Sequence, residues 1–308
     1  MRRGVGPTGT RSGPGTLPRP IAATALDLPA RVGRALAHPP PPTEMTVDAA
    51  GIPFAVRSWG QPTDPPTLLV HGVTASSGIW WRTGAALAAA GRHVLAPDLP
   101  GHGRTGHWRG RHRFTETAQD VAALVDGLGL RRPDLDVIGH SWGAMIVAAL
   151  PVVGVRPRTL VQLDPPVLPL ARMAAMAVDP VEHAYDDLDE AVRAIGTANP
   201  TWSFGDVVHK ATALSQLDES AARAVLLENG DWDGGLAALV HPAAAEVSCW
   251  LVRGETGSGS FTANDALPAF AARSGWEHIL TVAGGPHSPQ RTHPEATLVA
   301  FLRAVGGG

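Results

Sequence analysis

The five residues Gly139-His140-Ser141-Trp142-Gly143 constrain this chain more than any other stretch. They follow a short apolar run, Leu135-Asp136-Val137-Ile138, and precede a longer one over residues 144–150. The pattern predicts a buried strand, a very sharp turn and a buried helix. A serine on such a turn is held in a strained backbone with its Oγ pushed out over the edge of a sheet. The flanking glycines remove Cβ atoms that would collide with the neighbouring strand and helix. The turn also aims the first N–H groups of the helix at the space beside the hydroxyl, where an oxyanion would form. The bare G-x-S-x-G pattern is common by chance, so its weight comes from its setting.

Two further motifs supply that setting. Upstream, the apolar run Pro66-Thr67-Leu68-Leu69-Val70 ends in His71-Gly72-Val73-Thr74, where the Val73 amide is available as a second oxyanion donor beside that of Trp142. Downstream, the strand-like run Ile279-Leu280-Thr281-Val282-Ala283 leads into Gly284-Gly285-Pro286-His287, and Thr292-His293-Pro294-Glu295 opens a last helix with proline in its first turn. Between these motifs the chain alternates. Strands are expected over 52–59, 93–97, 159–163 and 247–252, with helices over 79–90 and from an N-cap at Thr115 to about 128. Strands alternating with helices argue for a parallel sheet covered on both faces.

From about Met45 to the C-terminus the chain resembles the α/β-hydrolase superfamily. The resemblance rests on His71-Gly72, on Asp98-Leu99-Pro100-Gly101-His102-Gly103, on the Ser141 turn and on Gly285-Pro286-His287. It implies an α/β fold with a doubly wound, mostly parallel sheet and a helical cap inserted after the sixth strand. It also implies a Ser-His-acid triad in the chain order serine, acid, histidine, hence Ser141 and His287 with a carboxylate between them. The common position for that acid follows the strand ending at Leu251-Val252-Arg253-Gly254-Glu255, and there this chain departs from the pattern. The usual place looks like Gly257, and no aspartate comes before Asp265. Two carboxylates remain. Asp164 ends the strand after the serine helix and is stiffened by Pro165-Pro166, a position some haloalkane dehalogenases, which this region resembles, use for their acid. Glu255 ends the later strand and is longer. The reading takes Asp164, with Glu255 as the alternative.

Residues 167–245 lose the strand rhythm and carry alanine-rich helical runs with Met173, Met176, Trp202, Phe204 and Trp232. These apolar groups are either the cap's own small core or the wall of a substrate pocket, to which His71 and Thr74 would also contribute. The expected division is therefore a core over 45–166 and 246–308 and a cap over 167–245. Residues 1–44 are dense in glycine, proline and arginine and have too short an apolar run for a secretory signal. They read as a disordered tail or as a start placed before the true one at Met45.

Composition excludes several classes. The 308 residues are 44% apolar and 17% charged with a net charge of −3, which gives no reason to expect nucleic acid or an anionic membrane as partner. The one cysteine, Cys249, lies in an apolar run and reads as a core thiol. His102, His107 and His112 lack the converging spacing and carboxylate or cysteine help of a zinc site and read as solvated loop residues. Asp231 and Asp233 read as turn formers, Asp186 to Glu190 as the acidic start of a helix, and His293 as a surface or capping residue. No metal, nucleotide or flavin is expected, and the location expected is cytoplasmic.

The chemistry expected is that of a serine hydrolase. A hydroxyl is a weak nucleophile until a base takes its proton. His287 would take it, and a carboxylate would fix the imidazole tautomer. The serine argues against the epoxide-hydrolase and haloalkane-dehalogenase members, which have aspartate there. The substrate expected is a small, apolar carboxylic ester or lactone. The alternatives are a carbon–carbon bond hydrolase on the same scaffold and a binding protein that keeps the fold without turnover.

Overall fold

A computed structural model describes residues 21, 28–106 and 110–306. Ten strands are present among them: β1 Thr43–Ala49, β2 Ile52–Trp59, β3 Pro66–Val70, β4 His93–Pro97, β5 Asp136–His140, β6 Thr159–Leu163, β7 Val167–Leu168, β8 Trp232–Asp233, β9 Ser248–Arg253 and β10 Ile279–Thr281. Eight form one sheet in the order β1-β2-β4-β3-β5-β6-β9-β10. The pairs β1·β2 and β2·β4 are antiparallel, and the rest of the sheet is parallel. The helices are α1 Ala30–Ala37, α2 Trp81–Ala89, α3 Phe114–Gly127, α4 Trp142–Ala149, α5 Leu170–Met176, α6 Leu188–Ala198, α7 Phe204–Ser215, α8 Glu219–Glu228, α9 Leu236–Leu239, α10 Leu267–Ser274, α11 Pro289–Thr292 and α12 Pro294–Gly306.

The apolar strand runs exist because both faces of the sheet are covered. Every residue of β3, β5 and β6 is buried. Alternate side chains part to opposite layers. Leu68, Val70, Val137 and Leu160 join one core with α3 and α4, while Leu69, Ile138, Val161 and Val252 join another with α2 and α12. Polar side chains within these strands are placed at their ends or satisfied. At the start of β5, Asp136 is fully buried and accepts from two arginines. Arg158 donates to both its oxygens (3.0 and 2.6 Å), and Arg92 reaches it while also donating to Thr67 Oγ1 (2.9 Å).

The helical insert α5–α8 follows β6. Its two ends are stitched together, because β7 pairs antiparallel with β8 through Val167↔Asp233 and Leu168↔Trp232. The insert does not enclose a separate core. Met173, Ile195, Val207, Leu214 and Trp232 belong to the same apolar cluster as Val73 and Trp142 of the body.

Three expectations need correction. The segment up to 44 was expected to be unstructured, yet α1 buries Val32 and Leu36 against α2 and α12, and β1 begins at Thr43. Ile21 forms an isolated bridge to Val282, and residues 1–20 and 22–27 lie outside the described residues. The N-cap of α3 is Arg113 rather than Thr115, because the Glu116 carboxylate reaches back to accept from the Arg113 N–H (3.1 Å). His102 is not solvated but fully buried, folded under the 98–103 turn. His112 is half-buried beside Glu228, and His107 lies outside the described residues. Cys249 is buried, and burial pushes its thiol up to about 11. No helix among the described residues is long and apolar enough to cross a membrane.

Candidate active site

The loops after β3, β5, β6, β9 and β10 all leave the same edge of the sheet, the carboxyl end of its parallel strands. Each delivers one part of the site. Ser141 lies between β5 and α4 with φ 55° and ψ −120°, a conformation that costs a non-glycine residue about 1–3 kcal/mol. Close packing enforces it. A Cβ at Gly143 would stand 2.3 Å from the Val70 carbonyl oxygen, and one at Gly139 would stand 2.2 Å from that of Gly143. The Ser141 N–H donates to the Leu163 carbonyl (3.0 Å), which ties the turn to β6.

Ser141 Oγ–H donates to His287 Nε2 (3.0 Å), and His287 Nδ1–H donates to Asp164 Oδ2 (2.7 Å). Three residues from three loops thus form one hydrogen-bonded chain. Asp164 is fully buried and, like Ser141, has a positive φ (45°). Besides His287 it accepts from the Gly254 N–H (3.0 Å), the Phe261 N–H (2.8 Å) and Ser260 Oγ. Neutral donors therefore hold the carboxylate, and the imidazole is its one titratable hydrogen-bond partner. The Phe261 ring stacks on the His287 ring at 3.8 Å between centroids.

Glu255, the alternative acid, stands elsewhere. Its Oε2 accepts from the Gly284 N–H (2.8 Å), and its own N–H donates to the Gly285 carbonyl (2.7 Å). It anchors the histidine loop and has no hydrogen bond to His287. That loop lies so close to β9 that a Cβ on Gly254 would meet the Gly285 and Pro286 carbonyl oxygens at 2.4 Å.

The amides of Val73 and Trp142 have no acceptor among the described residues. The 98–103 turn braces the Val73 loop. His102 faces the Pro100 carbonyl (3.0 Å) with Nδ1 and the Val73 carbonyl with Nε2. His71 was expected to line the pocket but is fully buried beneath it. Its Nδ1–H donates to the Gly72 carbonyl (2.8 Å), and its Nε2 accepts from the Leu99 N–H (2.9 Å). Burial, with the neighbouring His102, pulls His71 down to about 3.

A cavity of about 230 Å³ opens at Ser141 and His287. Thr74, Met173, Met176, Trp202 and Trp232 line it. Phe204 does not: it is 75% exposed, turned outward at the first position of α7. Residues that sequence reasoning missed complete the lining. Lys210 on α7 donates to the Thr74 carbonyl and hydroxyl (both 2.7 Å) and pairs with Glu182. Burial works against ionisation of Glu182, but Lys210 outweighs it and holds the carboxyl below its usual range. His140, the variable residue before the serine, donates Nε2–H to the His287 carbonyl (2.9 Å), leaving Nδ1 bare. Burial, then the nearby His287, keeps it neutral, far below the ordinary histidine value. Arg291, on α11 four residues beyond His287, also reaches the cavity.

A sheet of this order, a serine at the turn after β5 and a helical insert after β6 together define a class. A family model described as the alpha/beta hydrolase fold matches residues 65–157. Epoxide hydrolase A of Mycobacterium tuberculosis is 35% identical over 138 residues, which cover 43% of this chain and 41% of that one. A bifunctional esterase/perhydrolase of Acinetobacter calcoaceticus is 35% identical over 124 residues, covering 38% and 44%. The chain thus spans less than half the length of the curated relatives it matches. A solved E-2-(acetamidomethylene)succinate hydrolase has the same fold with a TM-score of 0.73 at 20% identity, covering 86% of this chain and 99% of that one. The chain has the α/β-hydrolase fold.

Proposed function

We propose that the chain is a serine hydrolase that cleaves a carboxylic ester or lactone through an acyl-enzyme on Ser141. The observation that carries this reading is the unbroken chain from Ser141 Oγ through His287 to Asp164, beside two amides with no acceptor. Ser141 Oγ attacks the carbonyl carbon as His287 Nε2 takes its proton. Asp164 stays ionised and stabilises the imidazolium. The Val73 and Trp142 amides receive the oxyanion. Collapse breaks the C–O bond, and His287 returns the proton to the leaving alcohol. Water, deprotonated by the same imidazole, then attacks the acyl-serine and releases the acid.

The serine also favours this reading over that of the epoxide hydrolases among the relatives. Opening an epoxide with a hydroxyl would leave an ether on Ser141, which water does not cleave, so turnover would stop after one event. Attack on an acyl carbon leaves an ester, which water does cleave.

The test is labelling by a fluorophosphonate probe together with hydrolysis of 4-nitrophenyl esters of rising acyl length. The wild-type chain is expected to label and to turn over, and Ser141→Ala to lose labelling and at least about 10³ in kcat while remaining folded. Full activity in Ser141→Ala would sink the proposal.

A further inference from the structure

The wall of the cavity carries two cations, and only one of them has a carboxylate partner. Lys210 is paired with Glu182. Arg291 is 5% exposed and forms no ion pair among the described residues. Its Nη1 donates to the backbone carbonyl of Asp206 (3.2 Å), the Trp202 ring covers its face at 4.3 Å, and its buried Nε has no partner. The carboxylates nearby are engaged elsewhere. Asp206 accepts from Arg82, Trp81 Nε1 (3.0 Å) and Ser203 Oγ (2.7 Å), while Glu182 accepts from Lys210 and Thr74. Asp179, also on the wall, uses Oδ1 for the amides of Val181 (2.8 Å) and Glu182 (3.0 Å).

A buried guanidinium with no ion pair is costly to the folded chain unless an anion arrives to meet it. Burial lowers Arg291 to about 10, which leaves it charged at neutral pH. The stacked tryptophan fixes the guanidinium plane, and Nη2, which has no hydrogen-bond partner among the described residues, is left for a carboxylate oxygen. Met173, Met176, Leu226 and Trp232 give the cavity an apolar stretch, while Thr74, Asp179, Glu182 and Ser288 add polar groups to its wall. Its volume of about 230 Å³ is below the range of sites for drug-sized ligands and suits a short carbon chain.

We propose that the substrate carries a free carboxylate, separated from the scissile ester by a short carbon chain, and that Arg291 receives it. The proposal rests on the serine-hydrolase reading and narrows the apolar ester expected from sequence to an anionic one. A neutral ester would leave Arg291 buried with no direct ion pair, only the more distant charges of Asp206 and Glu182, and a site that loses such a partner discriminates strongly.

The experiment compares 4-nitrophenyl hemiglutarate with 4-nitrophenyl 5-methylhexanoate, in which an isopropyl group replaces the carboxylate. In the wild-type chain the anionic ester is expected to have a kcat/KM about tenfold or more higher, carried mainly by KM. In Arg291→Gln the two values are expected to converge to within about threefold, with Arg291→Lys in between. Equal or better use of the neutral ester by the wild-type chain overturns the proposal, as does an undiminished preference in Arg291→Gln. If Arg291→Gln fails to fold, competitive inhibition of neutral-ester hydrolysis by glutarate decides in the wild-type chain, and no inhibition overturns the proposal. If neither ester is cleaved, the hydrolase reading fails separately. Calorimetry of glutarate with Ser141→Ala then decides: binding weakened at least about tenfold by adding Arg291→Gln supports the carboxylate site, and no binding overturns it.

Discussion

Asp136 and Asp164 are both wholly buried carboxylates at strand ends, at opposite edges of one sheet, and they are held in opposite ways. Asp136, at the amino edge, is clamped by the guanidinium groups of Arg92 and Arg158. Asp164, at the carboxyl edge, is held by two backbone amides and a serine hydroxyl, with an imidazole as its one titratable hydrogen-bond partner. Fixed cations neutralise a carboxylate permanently and make it a structural tie. Neutral dipoles orient a carboxylate but leave its charge to respond when the imidazole gains a proton. The character of the donors, more than burial itself, separates the two roles.

The largest effect expected tests this contrast directly. Asp164→Asn should lower kcat by roughly 10³–10⁴ with little loss of stability, because the imidazole loses both its orientation and its counter-charge. Asp136→Asn should do the reverse. It leaves two arginines uncompensated and should cost about 3–5 kcal/mol in urea unfolding while kcat per folded molecule stays near wild type. If both variants lose activity in proportion to stability, the distinction between the two edges collapses.

Acid should strike the carboxyl edge. His71 is pulled down to about 3 in the folded chain, so between pH 6.5 and about 3 the unfolded state binds a proton that the folded state refuses. Stability therefore falls as pH falls through that window, by up to about 1.4 kcal/mol per pH unit for this one group. His71→Asn should reduce the slope of unfolding free energy between pH 6 and pH 4 by one proton, and an unchanged slope would contradict the assignment. The smallest effect is expected from Ser260→Ala, which removes one of four donors to Asp164. It should lower kcat about tenfold at most, with stability within about 1 kcal/mol, measured on a 4-nitrophenyl ester and by thermal unfolding.

Much of the framework was legible because it is local. The strand runs around Leu68, Ile138 and Val161 had to be apolar to be covered on both faces, and the Ser141 turn needs its glycines wherever it occurs. Asp164 could be placed at a strand end, but its donors could not be read. Ser260 and Phe261 reach it only because the loop after β9 folds back across about a hundred residues of sequence. The helix α1 was missed because its helical pattern amounts to two apolar residues, Val32 and Leu36, and their burial depends on α2 and α12. Phe204 was misjudged for the converse reason, since an aromatic side chain at a helix start carries no mark of which way it faces. His102 looked like a loop residue because spacing says nothing about a turn folding beneath its neighbour.

The bond from Lys210 to Thr74 has a consequence for how such a molecule can change over time. Lys210 belongs to the insert, and Thr74 follows directly on the residue whose amide is proposed to receive the oxyanion. The roof and the floor of the cavity thus share a fastening. Replacing the helices between β7 and β8 with another set would alter which molecules fit, and it would also release Thr74 and the backbone beside it. A lineage that altered its insert to accept a new substrate would have to re-anchor this loop in the same steps, so selectivity and turnover are inherited together.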